Sequence, residues 1–223
     1  MLLQDVLIIM IFIPMKTIKI NDNIYAIKTK MVNMFVIKYG SDVICIDSGF
    51  IKSTVKSALS KFGIDLTSVS NVFLTHSDYD HAGCIDLFSD AKIHLSVDEE
   101  QMINGNTPRA MGISYNSKIE RPYHLLHDGD IVMVGKIKVQ GISTPGHTPG
   151  SMSYLINEAY LFVGDTLALI KDRVYTFPFF INKDTKTQKE SIKKLAKLKN
   201  VKAMFTAHSG YSTGFQKSIS SWK

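Results

Sequence analysis

A mixed α/β fold in one domain is what this 223-residue sequence predicts, on three observations. Residues 17–48 alternate apolar and polar side chains between Asn/Asp/Gly turns, the pattern of a β-meander. Residues 52–103 switch between helical and strand periodicity. Residues 131–206 return to short apolar strands, interrupted once by a lysine-rich helical pattern. A chain of this length can bury a substantial core in a single domain.

The first stretch, residues 1–14, matches nothing after it. Its apolar run from Val6 to Ile13 is shorter than the roughly 20 residues that span a bilayer, and Asp5 stands where a secretory signal would carry positive charge. Met15 opens a natural first strand. The reading is therefore an apolar extension from a mis-called start, followed by a domain over 15–223; a membrane-surface anchor is the alternative. Ile18 and Ile20 alternate in the first strand, and strands over 24–27, 35–39 and 43–47 follow, turned by Asn21-Asp22-Asn23 and Gly40-Ser41-Asp42. A helix is expected over 52–62, with Val55, Leu59 and Phe62 on one face and Gly63 as its stop. Strand 71–75, helix 82–88, strand 92–95 and helix 97–103 continue the alternation.

Residues 104–122, with Gly105, Pro108 and Gly112, read as an irregular loop that carries Arg109, Tyr115 and Lys118. Such a loop is a cover over a substrate or a solvated surface segment. His124 and His127 beside it are left out of any ligand set. Strands over 131–134, 136–143, 152–157 and 160–163 come next. The aromatic stretch with Tyr175, Phe177, Phe179 and Phe180 is either a pocket wall or core packing. Helix 186–199 turns Ile192, Leu195 and Leu198 inward and its lysines outward; that row could track phosphates, but a solvated face is the default. Strand 203–206 closes the series.

A net charge of +6 is too modest to mark a nucleic-acid binder, so no nucleic-acid partner is expected. Two cysteines, Cys45 and Cys84, fit a reducing compartment and hence the cytoplasm. Cys84 is either a redox-sensitive thiol or a small packed side chain. No stable membrane insertion is expected, and oligomeric state is not legible.

The chemistry concentrates in Thr75-His76-Ser77-Asp78-Tyr79-Asp80-His81-Ala82-Gly83, on a loop leaving the strand at 71–75. Imidazole and carboxylate together suit a divalent transition metal. Taken alone, the same residues could be turn and helix-capping chemistry, with Asp78 or Asp80 as the cap. Three later segments weigh against capping: His147 in the turn Thr144-Pro145-Gly146-His147-Thr148-Pro149-Gly150-Ser151, Asp165 after the strand ending at Val163, and His208 in Thr206-Ala207-His208-Ser209-Gly210. Each delivers His or Asp at a strand end.

This ordered set resembles the metallo-β-lactamase superfamily, with its HxHxDH motif followed by a distant His, an Asp and a last His. The resemblance runs from about Ile18 to about Gly210, and Asp47 in Ile46-Asp47-Ser48-Gly49 matches the family's early Asp. One position departs: Asp78 stands at the second histidine, giving HxDxDH. The resemblance implies a four-layer αββα sandwich and two divalent metal ions, zinc first, with iron or manganese as alternatives because Asp78 is a harder ligand. It implies that His76, Asp78 and His147 hold one ion, that Asp80, His81 and His208 hold the other, and that Asp165 bridges. Asp80 would also orient the nucleophile and Asp47 would steady a ligand histidine.

The implied activity is hydrolysis of a small ester, thioester or lactone by metal-activated hydroxide. A phosphodiesterase is one alternative. The other is a diiron redox protein that reduces oxygen or nitric oxide with an electron-donor partner, as in the superfamily branch that carries a carboxylate at the position of Asp78.

Overall fold

The computed structural model describes residues 12–109 and 115–223. Most of the expected extension, residues 1–11, lies outside the described residues, as do residues 110–114 of the expected loop. Among the described residues no helix is long and apolar enough to cross a membrane.

The opening meander and the alternating segment build one sheet. Its strands are β1 (Ile18–Lys19), β2 (Ile24–Thr29), β3 (Val32–Tyr39), β4 (Asp42–Ile46), β5 (Asn71–Phe73), β6 (Lys92–Ser96) and β7 (Tyr123–Leu126), hydrogen-bonded in chain order. Pairs from β1 to β4 are antiparallel and pairs from β4 to β7 parallel. The change follows from the connections, since parallel neighbours need a crossover such as the helix α1 (Lys52–Lys61) between β4 and β5. The second half gives β8 (Ile131–Val134), β9 (Ile137–Ser143), β10 (Met152–Ile156), β11 (Tyr160–Phe162), the hairpin β12 (Ala168–Ile170) and β13 (Arg173–Tyr175), then β14 (Ala203–Phe205) and β15 (Tyr211–Ser212). Its main sheet has the order β15-β14-β11-β10-β9-β8.

Strand periodicity divides the core into layers. In β3, Phe35 and Ile37 face one way and meet Tyr154, Phe162 and Phe205 of the second sheet. Their neighbours Met34 and Val36 face the other way and meet Val55, Ala58 and Leu59 of α1. On the far side of the second sheet, Leu155, Leu161 and Met204 pack on Ile192, Leu195 and Ala196 of α4 (Thr185–Ala196). Helix, sheet, sheet and helix are thus stacked as an αββα sandwich, the arrangement that the family resemblance implied.

The structure departs from the sequence reading in several local places. The helix expected over 82–88 instead starts at Tyr79 as α2 (Tyr79–Ala82) and gives way to a 3₁₀ turn at Ile85–Leu87. It breaks because the Cys84 N–H turns away to Gly49 O (3.1 Å) and Ser48 Oγ (3.2 Å), tying the segment to the end of β4. The helix expected over 97–103 is a 3₁₀ turn, Val97–Glu99, leading into α3 (Glu100–Ile103). The aromatic stretch divides between both expected roles: Phe177 is buried beside Ala168 and Ile170, whereas Phe179 and Phe180 are exposed. Cys84 is buried in the first core layer and burial pushes its thiol up to about 11, which fits the packed reading.

Candidate metal centre

All four strand ends singled out in the sequence open on one edge of the sandwich. The loop after β5 carries His76, Asp78, Asp80 and His81; the turn after β9 carries His147; Asp165 follows β11 and His208 follows β14. The loops are stitched to each other by backbone bonds, with Met152 N donating to Thr75 O (2.8 Å), Asn33 N to Ala207 O (2.7 Å) and Ala207 N to Gly164 O (3.3 Å). Gly164 sits at φ +50°, where its missing side chain matters: a Cβ there would run into Thr75, so only glycine lets the Asp165 loop lie this close to the His76 loop.

The side chains of all seven residues meet. His76 Nε2 lies 3.5 Å and His147 Nε2 3.3 Å from Asp78 Oδ2. His81 Nε2 lies 3.6 Å and His208 Nε2 3.4 Å from Asp80 Oδ2. Asp165 lies between the groups, 3.5 Å from His81 Nε2, 3.4 Å from His147 Nε2 and 3.2 Å from His208 Nε2. Three sets bring their ligand atoms within 4.8 Å of one another: His76–Asp78–His147, Asp80–His81–His208 and His76–His81–Asp165. Two donor atoms bound tetrahedrally to one zinc ion at about 2.0–2.1 Å lie about 3.3 Å apart, so the spacing here is one that a bound cation could bridge.

Every histidine of the group has its other ring nitrogen occupied. His81 Nδ1 is 2.8 Å from Asp47 Oδ2, His208 Nδ1 is 2.7 Å from Met31 O, and His147 Nδ1 is 3.3 Å from Asn182 Oδ1. His76 Nδ1 is 3.1 Å from Thr75 Oγ1, whose hydroxyl donates in turn to Asp47. These acceptors keep a proton on Nδ1, so Nε2 is the nitrogen that points into the group and becomes a donor to a cation once it carries no proton. His76 Nε2, His81 Nε2 and Asp165 Oδ1 are fully buried and meet no hydrogen-bond partner among the described residues. Buried polar atoms of this kind are rare without something to bind. The residues present fit a divalent cation.

Asp47 itself sits at φ +60°, a left-handed conformation that aspartate tolerates better than most residues. Its carboxylate also accepts the Thr75 backbone N–H at 2.7 Å. The electrostatics favour positive charge. Burial alone would raise the Asp78 and Asp165 carboxyls, yet hydrogen bonds and charge from His76 and His147 hold Asp78, and His208, His81 and His147 hold Asp165, well below the usual carboxylate range. Burial opposes charging His81, but Asp80, Asp165 and Asp47 together hold its imidazole well above the usual value, and Asp165 and Asp80 raise His208 likewise. Asp78 caps α2 by position only; its side chain makes no capping bond.

Two further residues join the site, Glu99 with no sequence signal of function and Arg109 with only the irregular loop that carries it. Glu99 is fully buried, its Oε1 accepting from Ser77 N (2.8 Å) and Ser77 Oγ (2.7 Å) and its Oε2 from Thr148 Oγ1 (2.6 Å) and Gly150 N (3.2 Å). It clasps the His76 loop to the His147 turn. Arg109, from the loop expected to be a cover or a solvated segment, donates through Nε to Asp78 Oδ2 at 2.8 Å. A cavity of about 290 Å³ opens onto the group, with Phe12, Met31, Tyr115 and Phe180 on its wall. Phe12 stacks edge-on against His208, its ring centroid 5.1 Å away, so the described end of the apolar extension touches the site.

An αββα sandwich with a buried His/Asp group at its strand ends makes a scaffold that could hold a divalent cation. The chain belongs to the metallo-β-lactamase superfamily, whose family model matches residues 27–208. It is 31% identical over 127 residues to the probable polyketide biosynthesis zinc-dependent hydrolase PksB of Bacillus subtilis, covering 56% of this chain and 49% of that protein. It is 27% identical over 138 residues to a hydroxyacylglutathione hydrolase of Legionella pneumophila, covering 60% of this chain and 46% of the relative. Among solved structures, a metallo-β-lactamase family protein of Thermus thermophilus matches with a TM-score of 0.72 at 19% identity, over 91% of this chain and 79% of that one. Matches to three of the curated relatives span 49%, 66% and 63% of the relatives' own length.

Proposed function

We propose that the chain hydrolyses a small ester, thioester or lactone at a dinuclear centre, with residues 15–223 as the hydrolase domain. The observation that carries the reading is the set of four imidazole Nε2 atoms, each with its Nδ1 partnered, gathered with three carboxylates at ligand spacing. His76, Asp78 and His147 form one set of ligands and Asp80, His81 and His208 the other, with Asp165 shared between them. A divalent cation bound there supplies Lewis-acid polarisation of the substrate oxygen and a water acidic enough to ionise near neutral pH. Asp80, the most open of the three cluster carboxylates at 19% side-chain exposure, orients the attacking water and takes up its proton. Asp47 and Thr75 hold His81 and His76 in the tautomer the reaction needs.

Substrate class is supported by the cavity. Its apolar wall of Phe12, Met31 and Phe180 suits an acyl group, and its volume suits a small molecule better than a polymer. The hydroxyacylglutathione hydrolase relative adds weight to a thioester. Zinc is the expected metal. A second reading follows from Asp78, whose carboxylate makes the first set harder and so favours iron or manganese; with iron, reduction of oxygen or nitric oxide by an external electron donor is the alternative chemistry.

Elemental analysis of protein purified without added metal, run beside ester, thioester, lactone and phosphodiester panels, tests these readings together. Bound zinc and turnover of an acyl substrate are expected, with both metal and turnover lost in Asp165→Ala. Turnover of phosphodiesters alone, or bound iron with reductant-dependent oxygen consumption, would transfer the assignment to an alternative.

A further inference from the structure

Arg109 is the one guanidinium that enters the ligand group among the described residues, and it enters at one end only. Its Nε donates to Asp78 Oδ2 at 2.8 Å, and its Nη2 lies 2.9 Å from His147 Nε2. Asp78 and His147 are two of the three residues of the His76–Asp78–His147 set. The rest of the fork is anchored on the protein side, Nη1 donating to His147 O at 3.1 Å and Nη2 to Ile181 O at 2.5 Å, and the side chain is only 11% exposed. No lysine or arginine among the described residues pairs with Asp80 or Asp165.

We propose that the Arg109 guanidinium takes the cation position of the His76–Asp78–His147 set, so that the chain holds one divalent metal firmly, at Asp80, His81, His208 and Asp165, and a second only by displacing Arg109. This rests on the metal-centre reading above and narrows it. Three physical arguments converge. Arg109 Nη2 lies 2.9 Å from His147 Nε2 and 3.4 Å from its Nδ1, so the guanidinium stands against the imidazole and crowds the space that a cation held by Nε2 and Asp78 Oδ2 would enter. A guanidinium does not shed its proton in a protein, so its charge repels any dication brought beside Asp78. The exchange of imidazole for carboxylate at position 78 adds one negative charge, and Arg109 returns one positive charge to the same oxygen. Asn116 Nδ2 holds the other Asp78 oxygen at 3.2 Å, fixing the carboxylate to present Oδ2 to the arginine. His76 is left free by the arrangement and lies within ligand range of His81 and Asp165, so it can complete the set around the firmly held metal.

The test is titration of chelator-stripped protein with Zn²⁺ by calorimetry and with Co²⁺ by visible absorption. The wild-type chain should take one equivalent tightly and a second about 100-fold more weakly. In Arg109→Met the second equivalent should tighten at least about 10-fold, the repulsion of a unit charge at contact distance being removed, while the first stays within a few-fold and reports that the fold is intact. Arg109→Lys keeps the charge without the fork and should fall between them. Two equivalents of equal affinity in the wild-type chain, or a weak second equivalent that Arg109→Met leaves unchanged, would overturn the proposal and leave the metal-centre reading standing. Failure to bind either ion at all would overturn both.

Discussion

The Asp47 carboxylate and the His81 imidazole form a buried pair, Oδ2 to Nδ1 at 2.8 Å, that sets the direction of the His81 lone pair. Because an ionised carboxylate only accepts, Nδ1 carries the proton and Nε2 faces Asp80 and Asp165. The same carboxylate holds Thr75, and Thr75 holds His76, so one side chain aligns two ligand candidates. Asp47→Asn is nearly isosteric but can present its amide N–H₂ to the imidazole and turn the lone pair the wrong way. Metal affinity should fall about 10- to 100-fold, as for other partners of ligand histidines, with little loss of fold. Competition with a chromophoric chelator measures it; affinity within twofold of wild type would remove Asp47 from this role.

Glu99 gives a prediction of a different kind, because it touches neither cavity nor ligand atom. Its two oxygens accept four hydrogen bonds from the loops that carry His76 and His147, and Gly150 lies so close that a Cβ there would strike the Glu99 backbone. In Glu99→Gln one oxygen becomes a donor facing donors. Leaving a buried donor unpaired costs about 1–3 kcal/mol, so the melting temperature should drop and metal affinity should fall with it. Thermal melts with and without Zn²⁺ separate the two effects. A variant that melts like wild type would show that the clasp contributes nothing.

The unequal legibility of these residues in the sequence has a physical basis. His76, Asp78, Asp80 and His81 stand within six positions behind an apolar strand, and His147, Asp165 and His208 each follow one, so spacing and strand ends mark them. The two sheets were legible for the same reason, since a period of two is a local property. Glu99 and Met31 O act on partners 49 and 177 residues away, and nothing in their own neighbourhoods marks them; Arg109, 31 residues from Asp78, is marked only by the irregular loop that carries it. The β12–β13 hairpin was missed because its turn residues, Lys171 and Asp172 at φ +48° and +58°, lack the Asn-Gly or Gly signal that such turns usually show. The helix misplaced over 82–88 had a fair apolar pattern in Ile85, Leu87 and Phe88, but two bonds to the Ser48–Gly49 corner outweigh it.

Metal binding should release protons, and the direction follows from the site's own charges. Without a cation, Asp80, Asp165 and Asp47 raise His81 well above its usual value, and Asp165 raises His208, so both imidazoles hold protons at a pH where a free histidine has lost them. A ligand nitrogen must give its proton up. Zinc titrations at one neutral pH in buffers of different ionisation enthalpy should therefore give apparent enthalpies that vary linearly with that enthalpy. Affinity should weaken steadily as the pH falls. Apparent enthalpies that do not depend on the buffer would mean that these histidines are already neutral.

His94 lies outside the metal group and gives a pH dependence of stability that metal does not explain. Its ring stacks on Phe73, with centroids 4.5 Å apart, and its Nε2 donates to Asn71 Oδ1 at 2.8 Å. Burial, with His124 and Lys92 nearby, lowers it from 6.5 to about 4. The native state therefore keeps His94 neutral between pH 6.5 and 4, where the unfolded chain protonates it. The unfolded state binds more protons in that window, so the stabilising contribution is complete above pH 6.5 and is lost as the pH falls towards 4, by up to about 3 kcal/mol. His94→Gln keeps a donor for Asn71 and removes the titration. Urea melts of metal-free protein at several pH values from 4 to 7 should show the wild-type chain losing stability faster than the variant on acidification; parallel curves would assign the acid sensitivity to the carboxylates of the metal group instead.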